Sequence, residues 1–317
     1  MRDTNGTTPA KLSNTSDLVF SYDSKDPPGL DVYINQAVPY HDQYLMMPSM
    51  YLHFGSMWPR GNDGLWGSRL VHSRDGLNFS YIGGDRRPWA SRGTSTGISP
   101  LAEARPGSAW DSGMVAMARG IVVRDEFLIL FKWGDSLTHH QCTSSSPGPG
   151  YCDVPRHIGA TAGIARLELR IDGFASASPT ASQNGEWPAT DTDAAWLRTN
   201  TYTVPTNAEL HLNVKVGITA ELLVEVLLPS GKPVPNRSRT DCVAVIGDFL
   251  DTTVVWLAGR TMKRPEVSLR FLFKGQVDLF SFWFQDPPLA KSKSDDAHAS
   301  LAAGEMLRPA ATTMIQR

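Results

Sequence analysis

Apolar and polar positions alternate along short stretches, and turn-forming clusters separate them. Tyr44–Phe54 divides around Pro48 and predicts two short strands, because proline is poorly tolerated inside a central strand. Ser68–His72 predicts a strand, Ser73-Arg-Asp-Gly76 a turn, and Leu77–Ile82 the return strand. Asp75-Gly76 supplies the positive-φ position that a hairpin needs. Residues 110–134 predict a polar Trp110-Asp-Ser-Gly113 start, a first strand, a tight turn at Arg124-Asp-Glu126, and a second strand reaching Trp133. Ala160–Ile171 alternates and ends at the turn Asp172-Gly173, with Phe174 opening the next strand. Later come Leu210–Val216, Ala220–Leu228 with its closing turn Pro229-Ser-Gly-Lys232, Asp251–Leu257, Val267–Phe273 and Val277–Phe284.

Strands at short regular spacing, without helical periods between them, make the chain all-β. The first series has repeated strand–turn–strand units, the pattern of propeller blades, although only two to three such units are visible and closure needs at least four. The second series predicts an antiparallel β-sandwich. The expected division is an irregular segment over 1–28, propeller blades over 29–178, a sandwich over 190–286, and a polar tail over 287–317 with a short Ala-rich helix near 299–306. Residues 178–190 lack periodicity and are the expected linker. The stretches 83–109 and 138–157 are expected to be long surface loops.

At 317 residues the chain can bury substantial cores. Its formal net charge of -2, with no block of one sign, excludes the basic face that nucleic-acid binding requires. No apolar run is long enough to cross a membrane. The first residues lack the order of a signal peptide, so the expectation is either a cytoplasmic chain or a piece of a longer secreted one. Asn5, Asn14, Asn78 and Asn236 begin N-glycosylation tripeptides, which fit a secretory history. Three cysteines make no disulfide framework, although Cys142 and Cys152 could staple their loop. Cys242 is expected to be a small apolar filler. His139, His140, Cys142, Cys152 and His157 match no standard zinc spacing, so no metal and no cofactor is expected.

The chemistry points to sugars. Nine tryptophans are many for this length, and several stand beside Gly, Pro or Asp. Trp110 and Asp111 place an indole next to a carboxylate. The indole can stack on the apolar face of a sugar ring while the carboxylate accepts bonds from hydroxyls. Asp31, Tyr33 and Asn35 alternate along a strand, share one face, and form a second polyol-reading surface. For each the structural alternative stays open. Asp111 could cap a turn, Trp110 could pack between blades, and Asp31, Tyr33 and Asn35 could line a solvated edge. Asp75 and Glu126 belong to turns, Glu103 to a loop, and Trp256 and Trp283 are expected in the core.

Five features occur in order: Tyr44–Phe54, Ser73-Arg-Asp-Gly-Leu-Asn-Phe79, Trp110-Asp-Ser-Gly113, the strand pair ending at Trp133, and Ile164–Phe174. Together they resemble the glycoside hydrolase superfamily of five-bladed β-propellers, the β-fructosidase and arabinanase group of families 32, 43, 62 and 68, in members with a C-terminal β-sandwich. The resemblance spans roughly residues 30–285. It implies hydrolysis of a glycosidic bond by a carboxylic acid and an opposing carboxylate. If the chain is active, the residues read above give Asp31 and Asp111 as the expected catalytic carboxylates and Trp110, Asn35 and Tyr33 as the expected substrate contacts. The chain departs from the family pattern in lacking an early Trp-x-x-Asp-Pro-like motif, an Arg-Asp-Pro and a Glu-Cys. The expectation is therefore a partial propeller without its N-terminal blades that hydrolyses a carbohydrate, or a non-catalytic module that binds one.

Overall fold

The computed structural model describes residues 18–34, 36–53, 64–84, 86–90, 92–93, 109–118, 120–137, 162–179, 195–263, 265–286 and 313–314. Among these the chain is all-β, with antiparallel strand pairs and no α-helix. It divides into two compact units. One comprises residues 1–81, 85–117 and 132–164, the other 82–84, 118–131 and 165–317.

The first unit contains two complete sheets. The strands β1 (Leu30–Ile34), β4 (Ser49–His53) and β5 (Gly64–Ser68) form one, in the order β1-β4-β5. The other has the order β2-β3-β6-β7, built from β2 (Ala37–Tyr40), β3 (Gln43–Met46), β6 (Val71–Ser73) and β7 (Ser80–Tyr81). Pro48 falls between β3 and β4, where the sequence places the break. The predicted strand 68–72 is instead the end of β5 and the start of β6, because Arg69 and Leu70 turn the chain. The return strand shrinks to two residues. Asp75 explains the shortening: its carboxylate accepts bonds from the Leu77 and Asn78 N–H groups and from the Asn78 side-chain amide, so residues 73–78 bend together. Those bonds hold the Asp75 carboxyl well below its usual range.

The hairpin of residues 110–134 also differs from its pattern. The first strand is broken into β8 (Met114–Met117) and β9 (Val122–Arg124), because the chain passes through Gly120 at φ 103°. A glycine tolerates that conformation and a side chain resists it. The second strand, β10 (Phe127–Asp135), runs unbroken. Its Lys132–Asp135 half pairs with β8, and its Phe127–Ile129 start pairs with β9 across a turn where Asp125 takes φ 51°. β11 (Gly163–Arg170) flanks β10 in the same sheet. The turn at Asp172-Gly173 forms as expected, but Phe174 is buried inside it rather than starting a strand.

The second unit has two larger sheets. In one, β16 (Gly247–Thr253), β14 (Glu209–Val216), β18 (Val277–Gln285) and β19 (Thr313–Met314) lie in that order. In the other, β17 (Glu266–Lys274) pairs with β15 (Glu221–Leu227) and with both β12 (Ala195–Arg198) and β13 (Tyr202–Thr203). Alternate residues of the central strands face one core, with register shifts at Val214 of β14. Leu210, Leu212 and Val214 of β14 enter one apolar core with Leu222, Val224 and Val226 of β15, Leu269, Phe271 and Phe273 of β17, and Leu279 of β18. Each such buried side chain contributes about 1.5–3 kcal/mol relative to exposure. Trp256 completes this core, fully buried, and its indole N–H donates to the Val224 carbonyl at 2.9 Å. The predicted strand 251–257 shifts to 247–253, because Trp256 enters a tight bridge with Gly259.

The sheets of both units are open three- and four-stranded layers, and none closes on itself among the described residues. The expected linker falls mostly outside those residues, as do the Cys142–Cys152 loop, Glu103, and the 287–312 stretch with its expected helix. Thr313–Met314, inside the expected polar tail, pairs antiparallel with β18.

Candidate functional site

The expected contact residues Asp31 and Tyr33 lie in the first unit, beside a cluster of aromatic rings. Asp31 of β1 pairs with Tyr51 of β4, and Tyr51 pairs with Trp66 of β5. Directly opposed residues in antiparallel strands project to the same face, so these three make one cross-strand row. Tyr33 covers it. Its ring centroid lies 4.7 Å from that of Trp66 and 5.8 Å from that of Tyr51. Trp133 of β10 extends the band, 6.2 Å from Trp66. Exposure is graded along it. Tyr51 and Trp66 are buried, Trp133 is half-buried, and Tyr33 is 49% exposed at the end of the row beside exposed Asp31. An aromatic held from below is rigid and loses little entropy on meeting a ligand. Asn35, the third member of the predicted face, lies outside the described residues.

Trp110 and Asp111 are built differently. Asp111 is fully buried. One carboxylate oxygen accepts a bond from Lys132 Nζ at 2.6 Å, and Lys132 is as buried as its partner. The other accepts from the Gly93 N–H at 3.1 Å. Lys132 Nζ also lies 5.5 Å from the Trp110 ring centroid. The indole is half-buried and rests on glycine. A Cβ at Gly134 would stand 2.7 Å from Trp110 and 2.5 Å from the Asp111 Cβ, and one at Gly163 would stand 3.4 Å from the indole. Ser112 closes the turn by donating to the Ala109 carbonyl at 2.7 Å. Lys132 and Trp133 are neighbours on β10 and project to opposite faces. The Trp110–Asp111–Lys132 group therefore occupies the inward face of that strand, and Trp133 with its aromatic band the other.

Two groups escape a sequence reading. Lys132 sits in the run Ile-Leu-Phe-Lys-Trp, and a cation inside an apolar strand is itself the signal that a buried anion waits across the sheet. In the second unit, His211 of β14 is 9% exposed and its Nδ1 lies 2.6 Å from an Asp251 oxygen. Its ring stacks on Trp283 at 24° and 5.5 Å, so Trp283 is half-buried at a polar cluster rather than in the core. Glu209 stands 3.8 Å from His211 Nε2. Among the described residues no three His, Cys, Asp or Glu side chains could hold a metal ion. No helix among them is long and apolar enough to cross a membrane. Cys242 is half-buried, its thiol is pushed up to about 11 by burial, and it accepts a bond from the Val224 N–H.

No family model matches this chain, and no curated protein does. One solved structure is similar in part. It is described as a crystal structure of a glycoside hydrolase family 43 arabinoxylan arabinofuranohydrolase from Bacillus subtilis in complex with cellotetraose. The match has 13% identity and a TM-score of 0.22, and covers 79% of this chain and 53% of that one. The chain thus spans about half the length of that structure, and an overlap this loose establishes no shared fold.

Proposed function

We propose that this protein binds a carbohydrate through the exposed face of β1, with Tyr33 as the stacking platform and Asp31 as the hydroxyl acceptor. One observation carries the reading: Tyr33 is half in solvent, braced by Trp66 and Tyr51, and stands beside an exposed carboxylate on the same strand. A sugar ring needs both a flat apolar contact and a polar rim. The ordered motifs of the propeller glycosidases support the same substrate class. In this reading the first unit is a set of propeller-type blades and the second a β-sandwich.

Binding is favoured over hydrolysis by the state of Asp111. A glycosidase needs two carboxyl groups flanking the bond. Asp111 has both oxygens engaged and no exposed surface. Trp110 and Asp111 then serve as the frame of the domain.

The test is titration of the protein with a panel of soluble plant and microbial polysaccharides, followed by tryptophan fluorescence. Tyr33→Ala and Asp31→Asn should each weaken the bound glycan about tenfold, the loss of one stacking or charged contact. Unchanged affinity in both variants would remove the site from β1. Release of reducing ends, abolished by both Asp31→Asn and Asp111→Asn, would establish the hydrolytic alternative.

A further inference from the structure

The outer face of the sheet around β17 carries a second aromatic platform, with different chemistry. Trp196 of β12 pairs with Leu272 of β17, which pairs with Leu223 of β15. Along this row the two leucines are buried, while Trp196 at the edge is 65% exposed. The next row is charged. Arg198 of β12 pairs with Arg270 of β17, and Arg270 with Glu225 of β15. All six side chains project away from the apolar core, which takes the alternate residues Leu222, Val224, Phe271 and Phe273.

The charges in that second row do not balance. Glu225 is buried, and its oxygens are already taken. One accepts Arg270 Nε at 2.5 Å, the other the Arg239 N–H at 3.1 Å. Arg198 is exposed, and its guanidinium extends toward the turn at Gly231. Beyond the tryptophan, Lys274 stands 3.4 Å from Glu221. Among the described residues, three cations and two carboxylates share this face with Trp196, and Arg270 and Lys274 take the two carboxylates, which leaves the planar guanidinium of Arg198 two residues along the same strand face.

Resting on the reading of this chain as a carbohydrate-binding protein, we infer that Trp196 and Arg198 form a second site, selective for a sugar chain bearing carboxylates. The indole stacks on the apolar face of one ring. The Arg198 guanidinium takes a uronate carboxylate in a paired, charge-assisted contact, which a neutral sugar cannot offer. Arg270 stays with Glu225 and sets the position of the row. The site differs from the β1 surface in the sign of its charge. Asp31 there repels the same carboxylate that Arg198 attracts.

The experiment compares an oligogalacturonate with a neutral cello-oligosaccharide of equal length, titrated into the full chain at low and high salt. The acidic chain should bind more tightly, and salt should weaken it selectively. Arg198→Gln should remove that preference, about a tenfold loss for the acidic chain and none for the neutral one. Trp196→Ala should weaken the acidic chain comparably, and Tyr33→Ala should leave it unchanged. Equal affinity for the two chains, or wild-type acidic binding in both Arg198→Gln and Trp196→Ala, overturns the inference. Loss of the acidic ligand in Tyr33→Ala alone also overturns it, by placing all binding on β1. Because Trp196 and Arg198 lie on the outer face, circular dichroism of the variants should match the wild type. Failure of the β1 reading is seen separately, in the Tyr33 and Asp31 variants with neutral glycans.

Discussion

Lys132 and Asp111 form a fully buried ion pair, Nζ to Oδ2 at 2.6 Å, joining β10 to the turn that follows Trp110. Taking two charges out of water is costly, and their mutual contact, the Gly93 N–H and the Trp110 ring beside Lys132 help to compensate. Lys132→Met should therefore cost about 3–5 kcal/mol, because it strands a buried carboxylate. Asp111→Leu combined with Lys132→Met should recover much of that loss. Urea unfolding of the single and double variants measures both, and a fully additive double variant would contradict the pairing.

Gly134→Ala should destabilise the first unit by roughly 1–3 kcal/mol, the usual cost of overpacking. The added methyl would stand 2.5 Å from the Asp111 Cβ and 2.7 Å from the Trp110 ring. Since Trp110 must move to admit it, its fluorescence should shift to the red. A variant with unaltered emission and melting temperature would show that the indole does not rest on β10.

His72 gives the first unit a pH dependence. Burial lowers its pKa from the ordinary 6.5, and neighbouring Arg74 adds to the effect. The folded state prefers the neutral ring, while the unfolded chain takes up a proton near 6.5. The associated stability is complete above that value and is lost as pH falls toward the lower folded pKa. Melting should drop between about pH 7.5 and about pH 5, and His72→Gln should flatten that part of the curve. An identical slope in the variant would assign the loss to other groups.

Asp251→Ala should loosen β16 from β14. It removes the 2.6 Å contact to His211 Nδ1, a side-chain link between the two paired strands beside Trp283. Half of the Asp251 side chain faces solvent, so the expected cost is small, about 1 kcal/mol. Backbone hydrogen exchange read along residues 247–253 checks it: those amides should exchange faster while β15 and β17 stay protected.

Alternation and turn chemistry were legible where apolar residues recur at every second position. Leu210, Leu212 and Val214 announce β14, and Asp75-Gly76 announces its turn, because each depends on residues close in sequence. The break at Gly120 was not legible, since a single glycine in an apolar run reads equally as a strand member. The candidate site was legible only as residue types. Asp31 and Tyr33 alternate on one strand, but their support by Trp66 depends on the register of β4 with β5. Asp111 beside Trp110 looked like a sugar-reading pair. What decides its environment is Lys132, twenty-one residues away, whose contact with Asp111 depends on the register of β10 with β8.

The packing of Trp110 on Gly134 and Gly163, with Gly113 set against the Leu137 carbonyl, bears on how this protein's relatives should be read. Residues 110, 111, 113, 132 and 134 satisfy one another, so they should be inherited as a block and change together. A descendant that no longer needed the proposed β1 surface would still keep Trp-Asp-Ser-Gly, because losing one member strands the others. The motif is thus a marker of ancestry rather than of occupation. Drift at the exposed positions Asp31, Tyr33, Trp196 and Arg198 is where a change in the proposed ligands would be written.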